Sequence, residues 1–195
     1  PQESFTFGMA GAMRPLDCLS LNIDLYYKTV ENQPEYLGAV LDILNAGYRA
    51  EDYIFATKGY NFGGSVSACL EAGAFTAMAS YAYCHARRRM PGEPAPFSAS
   101  NELPHTATAW CSWSLSPRWN VSATFMLASG RPYTPVTAIY FIGERLMMEY
   151  GPRNSTRLPL YHRLDLGASY RFATGGRFPL MHELNLSVVN AYGRE

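Results

Sequence analysis

The stretch Arg157-Leu-Pro-Leu-Tyr-His-Arg-Leu-Asp-Leu-Gly-Ala-Ser-Tyr-Arg-Phe172 decides how the rest of the chain reads. From His162 onward it alternates strictly. His162, Leu164, Leu166, Ala168, Tyr170 and Phe172 share one side, and Arg163, Asp165, Gly167, Ser169 and Arg171 share the other. A period of two marks a strand, because successive side chains leave a pleated backbone on opposite faces. One face is mostly apolar and aromatic. The other is polar and charged, and nothing in it calls for a dry core.

Working outward, the same alternation recurs along the chain. Residues 4–13 place Phe5, Phe7, Met9 and Met13 on one face, and Arg14 and Pro15 then read as a turn. Residues 16–28 set Leu19, Leu21, Ile23, Leu25 and Tyr27 against Ser20, Asn22, Asp24, Tyr26 and Lys28. Residues 60–70 and 75–84 alternate on either side of Ala72-Gly-Ala74 and read as a hairpin. Residues 105–115 and 119–128 flank a turn at Ser116-Pro-Arg118, and a last strand is expected over 181–191. Eight long strands result. The segments between them include residues 34–46, where Leu37, Val40, Leu41 and Leu44 have helical spacing after Pro34, so a short helix is expected there. Residues 138–142 and 146–150 suggest a small hairpin inside the segment 129–160.

Alternation alone fits a soluble sandwich as well as a membrane barrel. Two features favour the barrel. Connections alternate between short turns and the long segments 29–52, 86–104 and 129–160. Outer-membrane barrels have short turns on one rim and long loops on the other, whereas loops above about 12–15 residues are uncommon in compact soluble domains. Rings also gather at both strand ends: Phe75, Trp113, Trp119, Tyr170 and Phe172 near the short turns, Tyr27, Tyr60, Phe62, Tyr81, Tyr83 and Tyr161 toward the long loops. Aromatic side chains favour the membrane–water interface. Phe75 to Tyr83 along a tilted strand covers roughly 20 Å, close to the height of the apolar band.

Composition agrees. Only 16% of the 195 residues are charged and 14% are aromatic, against about 25% charged in ordinary soluble domains. A net charge of +0 gives no electrostatic case for nucleic acid. No apolar run reaches the length of a transmembrane helix, which leaves strands as the means of crossing. Cys18, Cys69, Cys84 and Cys111 stand singly and read as small, half-buried strand residues, not as a metal or disulfide set. His85, His105, His162 and His182 are likewise scattered, and no catalytic constellation or cofactor motif is present. The chain begins at Pro1 and stops soon after a strand, so a fragment is expected.

Three stretches resemble one family. The Arg157-to-Leu166 run entering its strand is similar to the late barrel strands of TonB-dependent outer-membrane receptors. Ser129-Gly-Arg-Pro-Tyr-Thr-Pro135 resembles their Gly-x-Pro-Tyr-Thr segment, and Val189-Asn-Ala-Tyr192 resembles an Asn-x-Tyr-Asn stretch, with Gly193 where the family often has Asn. The resemblance implies an all-β, antiparallel transmembrane β-barrel segment over 1–195, about eight strands of a barrel of roughly 22, with plug domain and terminal strands absent. It further implies a Gram-negative outer-membrane location, import of a scarce ligand such as a siderophore, cobalamin or glycan, and no enzymatic activity. The implied partners are outer-membrane lipid and lipopolysaccharide, a plug of the same polypeptide and a TonB-type energy-coupling protein. A passive porin or adhesin barrel, and a soluble carbohydrate-binding β domain, are the competing readings. Candidate ligand contacts lie in the long segments: Arg87, Arg88, Arg89, Tyr133, Tyr140 and Tyr150. Asn22, Asp24, Arg163, Asp165 and Arg171 are expected to face the lumen or plug. The arginine triplet reads either as a solvated loop tip or as a grip for an anionic ligand or lipopolysaccharide phosphates.

Overall fold

The computed structural model describes residues 1–36, 49–92, 95–143, 145–175 and 180–193. Eight long strands form one antiparallel meander: β1 (Glu3–Leu16), β2 (Leu19–Tyr36), β3 (Ile54–Ala72), β4 (Phe75–Arg89), β6 (His105–Ser114), β7 (Trp119–Ala128), β12 (Tyr161–Thr174) and β13 (Leu180–Val188). The two-residue strand β5 (Phe97–Ser98) extends the sheet beside the end of β4. Between β7 and β12 the chain forms the short pair β8 (Pro132–Tyr133) with β11 (Thr156–Arg157), and the hairpin β9 (Val136–Ile142) with β10 (Arg145–Tyr150). The expected small hairpin is therefore present. Among the described residues β1 pairs with β2 and β13 with β12, so this sheet is an open barrel segment.

Register carries the alternation across the whole sheet. One row runs Met13, Leu21, Ala68, Ala79, Ala109, Phe125 and Leu164. The adjacent row, on the other face, runs Ala12, Asn22, Ser67, Ser80, Thr108, Met126 and Arg163. The apolar face is uncovered: Phe7, Leu25 and Leu186 are 61%, 56% and 70% exposed. In water such an apolar face would be far larger than soluble monomers tolerate. Facing lipid, it is the expected surface of a barrel strand.

Rings mark both edges of that face. Toward the short turns Trp119 and Tyr170 lie 4.7 Å apart, Tyr170 and Phe172 5.8 Å, and Phe172 and His182 5.0 Å. Toward the long loops Tyr27 and Tyr60 stack at 6.4 Å, Phe62 meets His85 at 4.9 Å, and Tyr83 meets His105 at 5.4 Å. His162 continues this belt, 5.3 Å from Tyr192. The four histidines thus belong to the two aromatic belts.

Several local expectations need correction. Arg14 and Pro15 do not turn the chain; β1 continues to Leu16 through a register shift, and Asp17 and Cys18 form the turn. An edge strand needs no outward backbone donor, so Pro15 is tolerated there. Cys18 is accordingly a turn residue, while Cys69, Cys84 and Cys111 are half-buried in strands, and all four are free. The expected helix fails at its start: Pro34 lies in β2, opposite Ala56. Pairing with β1 has ended by Glu31, so the missing N–H of Pro34 leaves no gap. The remainder of that expectation, 37–46, lies outside the described residues. The long segment 86–104 does not begin as loop either, since β4 continues to Arg89. Leu115 lies beyond β6, and β13 ends at Val188 instead of 191.

Burial is concentrated at the long-loop rim. Among the described residues the buried apolar side chains are Val30, Ala86, Phe97, Ala99 and Pro132. With them are buried Glu35, Thr57, Arg88, Ser98 and Glu102.

Candidate functional site

The polar face and the long-loop rim hold the chain's chemistry. On the polar face, Asn22 Nδ2 donates to Ser67 Oγ at 3.4 Å, and Ser65 Oγ donates to Asp24 Oδ2 at 3.3 Å. Arg163 Nη2 lies 2.9 Å from Asp165 Oδ2. The other Asp165 oxygen accepts from the Asn190 backbone N–H at 2.9 Å, tying the end of β13 back to β12. Arg171 Nε donates to Glu183 Oε2 at 2.8 Å. Asn22, Asp24, Arg163, Asp165 and Arg171 therefore share one face, as alternation requires, and each is held by a neighbouring strand or by its own.

At the rim the sheet has a gap, and a side chain fills it. Cys84 N–H donates to Pro104 O at 3.0 Å, and Ala99 N–H donates to Ala86 O at 3.0 Å. Between these bonds the Ala86 N–H has no strand carbonyl to meet. Glu102 Oε1 accepts it at 2.8 Å, substituting for a backbone acceptor. Glu102 Oε2 pairs with Arg157 Nη2, and Arg157 Nη1 reaches Gly130 O at 3.4 Å. Burial pushes the Glu102 carboxyl up, but the Ala86 N–H and the Arg157 guanidinium outweigh it and hold the group below the usual carboxylate range.

Alternation splits the arginine triplet. Arg88 lies on the polar-face side, 2% exposed, and its Nη1 donates to Asn61 Oδ1 at 2.6 Å. The Glu35 carboxylate, also buried, lies nearby. Glu35 itself accepts the Ser100 N–H at 3.0 Å. Arg87 points the other way and is half-buried. Its Nε donates to His85 Nε2 at 3.1 Å and its Nη1 to Ser98 Oγ at 2.9 Å. That bond puts the neutral imidazole proton on Nδ1, the nitrogen 3.5 Å from Glu102 Oε1. Arg89 is exposed and, among the described residues, has no ion-pair partner.

The candidate tyrosines do not join this cluster. Tyr133 lies in β8 opposite Thr156, and Tyr140 in β9 opposite Met147; they are 41% and 45% exposed. Tyr150, half-buried in β10, donates to Met148 Sδ at 3.4 Å. The six candidate ligand residues thus divide between the end of β4 and the β8–β10 region.

Sequence reading missed the residues that hold the rim together: Glu35, Glu102 and Asn154. Asn154 follows Pro152 and Arg153 in the segment between β10 and β11. It adopts φ 48°, a left-handed conformation that Asn tolerates. Its Nδ2 donates to Ser98 O at 2.7 Å and so joins the two long segments. Arg153 lies beside it, its guanidinium 5.5 Å from the Phe97 ring centroid. Among the described residues no group of three His, Cys, Asp or Glu side chains could hold a metal.

A two-faced antiparallel sheet, aromatic belts on both edges and one rim built of interlocked long segments describe a wall of an outer-membrane barrel. No curated protein matches the chain. The family model for the TonB dependent receptor-like β-barrel matches residues 4–191. That match spans nearly the whole chain, and the chain belongs to the TonB-dependent receptor β-barrel family.

Proposed function

We propose that this chain is part of the barrel wall of an active importer in the outer membrane of a Gram-negative bacterium. It would take up a scarce ligand, such as a siderophore, cobalamin or a glycan, with a plug of the same polypeptide in the lumen. A TonB-type partner would supply the energy. The observation that carries this reading is the uncovered apolar face, continuous across eight strands and bordered by rings, in a chain of this family. The short turns would then face the periplasm and the long segments the outside. Asn22, Asp24, Arg163, Asp165 and Arg171 would meet lumen water or the plug. Tyr133 and Tyr140, exposed at the outer rim, are the better-placed ligand contacts. Arg88 is committed to Asn61 and Arg87 is turned away from the polar face.

Uptake by cells carrying the full receptor tests this. Radiolabelled ferric siderophores, cobalamin and oligosaccharides are supplied with the coupling protein present or deleted. Accumulation of one ligand class only when the coupling protein is present supports active import. Equal uptake in both strains identifies a passive pore and ends the reading.

A further inference from the structure

The short-turn end of the polar face carries a hollow built of hydrogen-bond donors. It lies where β6 turns into β7 and β12 passes beside them, and Ser114, Ser116, Arg118, Asn120, Ser169 and Arg171 line it. The Arg171 N–H donates to Arg118 O at 2.8 Å, one step beyond the Tyr170–Trp119 pair, so the two arginines stand opposite each other. Alternation puts both on the polar face with Asn120 and Ser169. Opposed side chains of an antiparallel pair have Cβ atoms about 4.5–5.5 Å apart, and like charges so placed repel. Glu183, opposite Arg171 on β13, takes its Nε at 2.8 Å and leaves its Nη groups to the hollow. Among the described residues the Arg118 guanidinium has neither a hydrogen bond nor an ion pair; only its backbone N–H is engaged, by Ser116. One carboxylate thus answers two guanidiniums. The neutral groups donate as well. Asn120 Oδ1 accepts from Ser112 Oγ at 3.0 Å, which leaves the amide hydrogens for the hollow. Ser116 Oγ accepts the Arg118 and Trp119 N–H groups at 3.3 and 3.1 Å, so its own proton is left to donate. Among the described residues no carboxylate lines the hollow. Charges elsewhere on this face are answered in place, Arg163 by Asp165 and Asp24 by Ser65.

We propose that this hollow is a binding site for a small oxyanion, the phosphate or carboxylate group of a solute at the short-turn mouth of the barrel wall. Forked guanidiniums meet such oxygens two bonds at a time. Asn120 and the serine hydroxyls complete the set of donors around them. An anion seated between Arg118 and Arg171 supplies the second negative charge that Glu183 alone does not. The site lies on the face turned away from lipid, and it stands independently of the import reading.

The test titrates the full receptor, in a phosphate-free maltoside detergent, with inorganic phosphate at millimolar concentration and reads binding from the phosphorus NMR linewidth. Wild type is expected to broaden the resonance. Citrate should reverse the broadening and glucose should not, as an oxyanion site requires. Arg118→Gln should weaken binding roughly tenfold, the worth of one charge-assisted contact. Arg131→Gln removes an exposed arginine at the opposite rim and should change nothing. Glu183→Gln releases the Arg171 Nε and should tighten binding about threefold, a gain that a misfolded receptor would not show. Absence of broadening in wild type overturns the proposal; that is the outcome if an acidic side chain of the same polypeptide already fills the hollow. Equal losses in R118Q and R131Q overturn it too, because they reduce the effect to overall charge. So does a Glu183→Gln variant that binds more weakly than wild type.

Discussion

The Glu102–Arg157 pair should respond asymmetrically to loss of either partner. Glu102 has no exposed side-chain surface, whereas Arg157 is 34% exposed. Glu102→Ala removes the acceptor of the Ala86 N–H, an unsatisfied buried donor worth about 1–3 kcal/mol. The freed guanidinium turns to solvent at little further cost, so the total is about 2 kcal/mol. Arg157→Ala instead strands a carboxylate in the rim, and breaking a buried pair in this way costs about 3–5 kcal/mol. Protonation sets a ceiling. Neutralising an ordinary glutamate at pH 7 costs about 3.7 kcal/mol, from roughly 2.7 pH units at 1.36 kcal/mol each. Arg157→Ala should therefore cost about 3 kcal/mol at pH 7, and its penalty should shrink toward pH 5 as the orphaned carboxyl takes a proton. Glu102→Ala should be flat over that range. In the wild type the sign is opposite. A depressed folded pKa gives stability that is complete above the ordinary glutamate value, about 4.3, and is lost as pH falls through the lower folded value. Hydrogen exchange at the Ala99 amide, which donates to Ala86 O, reads local opening of this corner. An Arg157→Ala penalty at pH 7 no larger than that of Glu102→Ala, or one that does not shrink by pH 5, would refute the assignment of the buried charge.

Three further outcomes are expected. Ile23 lies midway between Leu19 at the short-turn end and Tyr27 in the loop-side belt, so Ile23→Arg should cost about 2–4 kcal/mol in lipid; Ser67→Arg on the opposite face should cost about 0.5 kcal/mol or less, and comparable losses in denaturant titrations would contradict the assignment of faces. A Cβ at Gly130 would lie 1.7 Å from the Leu158 carbonyl oxygen; Gly130→Ala should therefore separate β8 from β11, costing about 1–3 kcal/mol or more, with new trypsin cleavage at Arg131 or Arg157, and unchanged protease resistance would show that the backbone can give way. In a background lacking the four native cysteines, a cysteine at position 92 should react with impermeant maleimide on intact cells, and one at 117 should not; the reverse pattern inverts the topology.

The spanning part of this fold is legible because it repeats one local rule. Leu19, Leu21, Ile23 and Leu25 declare their face two residues at a time, and register then aligns that face with those of its neighbours. The rule fails where strands leave the membrane. Pro34 read as a helix start because nothing in the sequence reports where β1 stops pairing with β2. The arginine triplet read as one feature because a loop was expected, yet a strand sends Arg88 one way and Arg87 and Arg89 the other. Glu102 and Asn154 were illegible for a different reason. Their partners Arg157 and Ser98 lie 55 and 56 residues away, and no local period connects them. Asn154 offered a weak signal in its neighbours Pro152, Arg153 and Ser155, a turn-forming setting. Glu102 offered none.

These two kinds of legibility follow from two kinds of stabilisation. Across the span the protein buries little against itself; lipid covers the apolar face and the ladder satisfies the backbone, as a bilayer demands of any strand that crosses it. Alternation alone specifies such a wall, and many Leu, Ile and Val exchanges on its outer face should be tolerated there. Beyond the belts the strands meet water, lipid no longer covers them, and the ladder breaks between β5 and β6. The chain closes that break with charge: Glu102 in place of a carbonyl, Arg157 to neutralise it, Asn154 to hold the two segments together. A buried charged knot adds little net stability over an apolar core, but its partners are hard to exchange, so it fixes which segment meets which. The outer rim should thus be the less tolerant of conservative change, even though the membrane span contains far more of the exposed apolar surface.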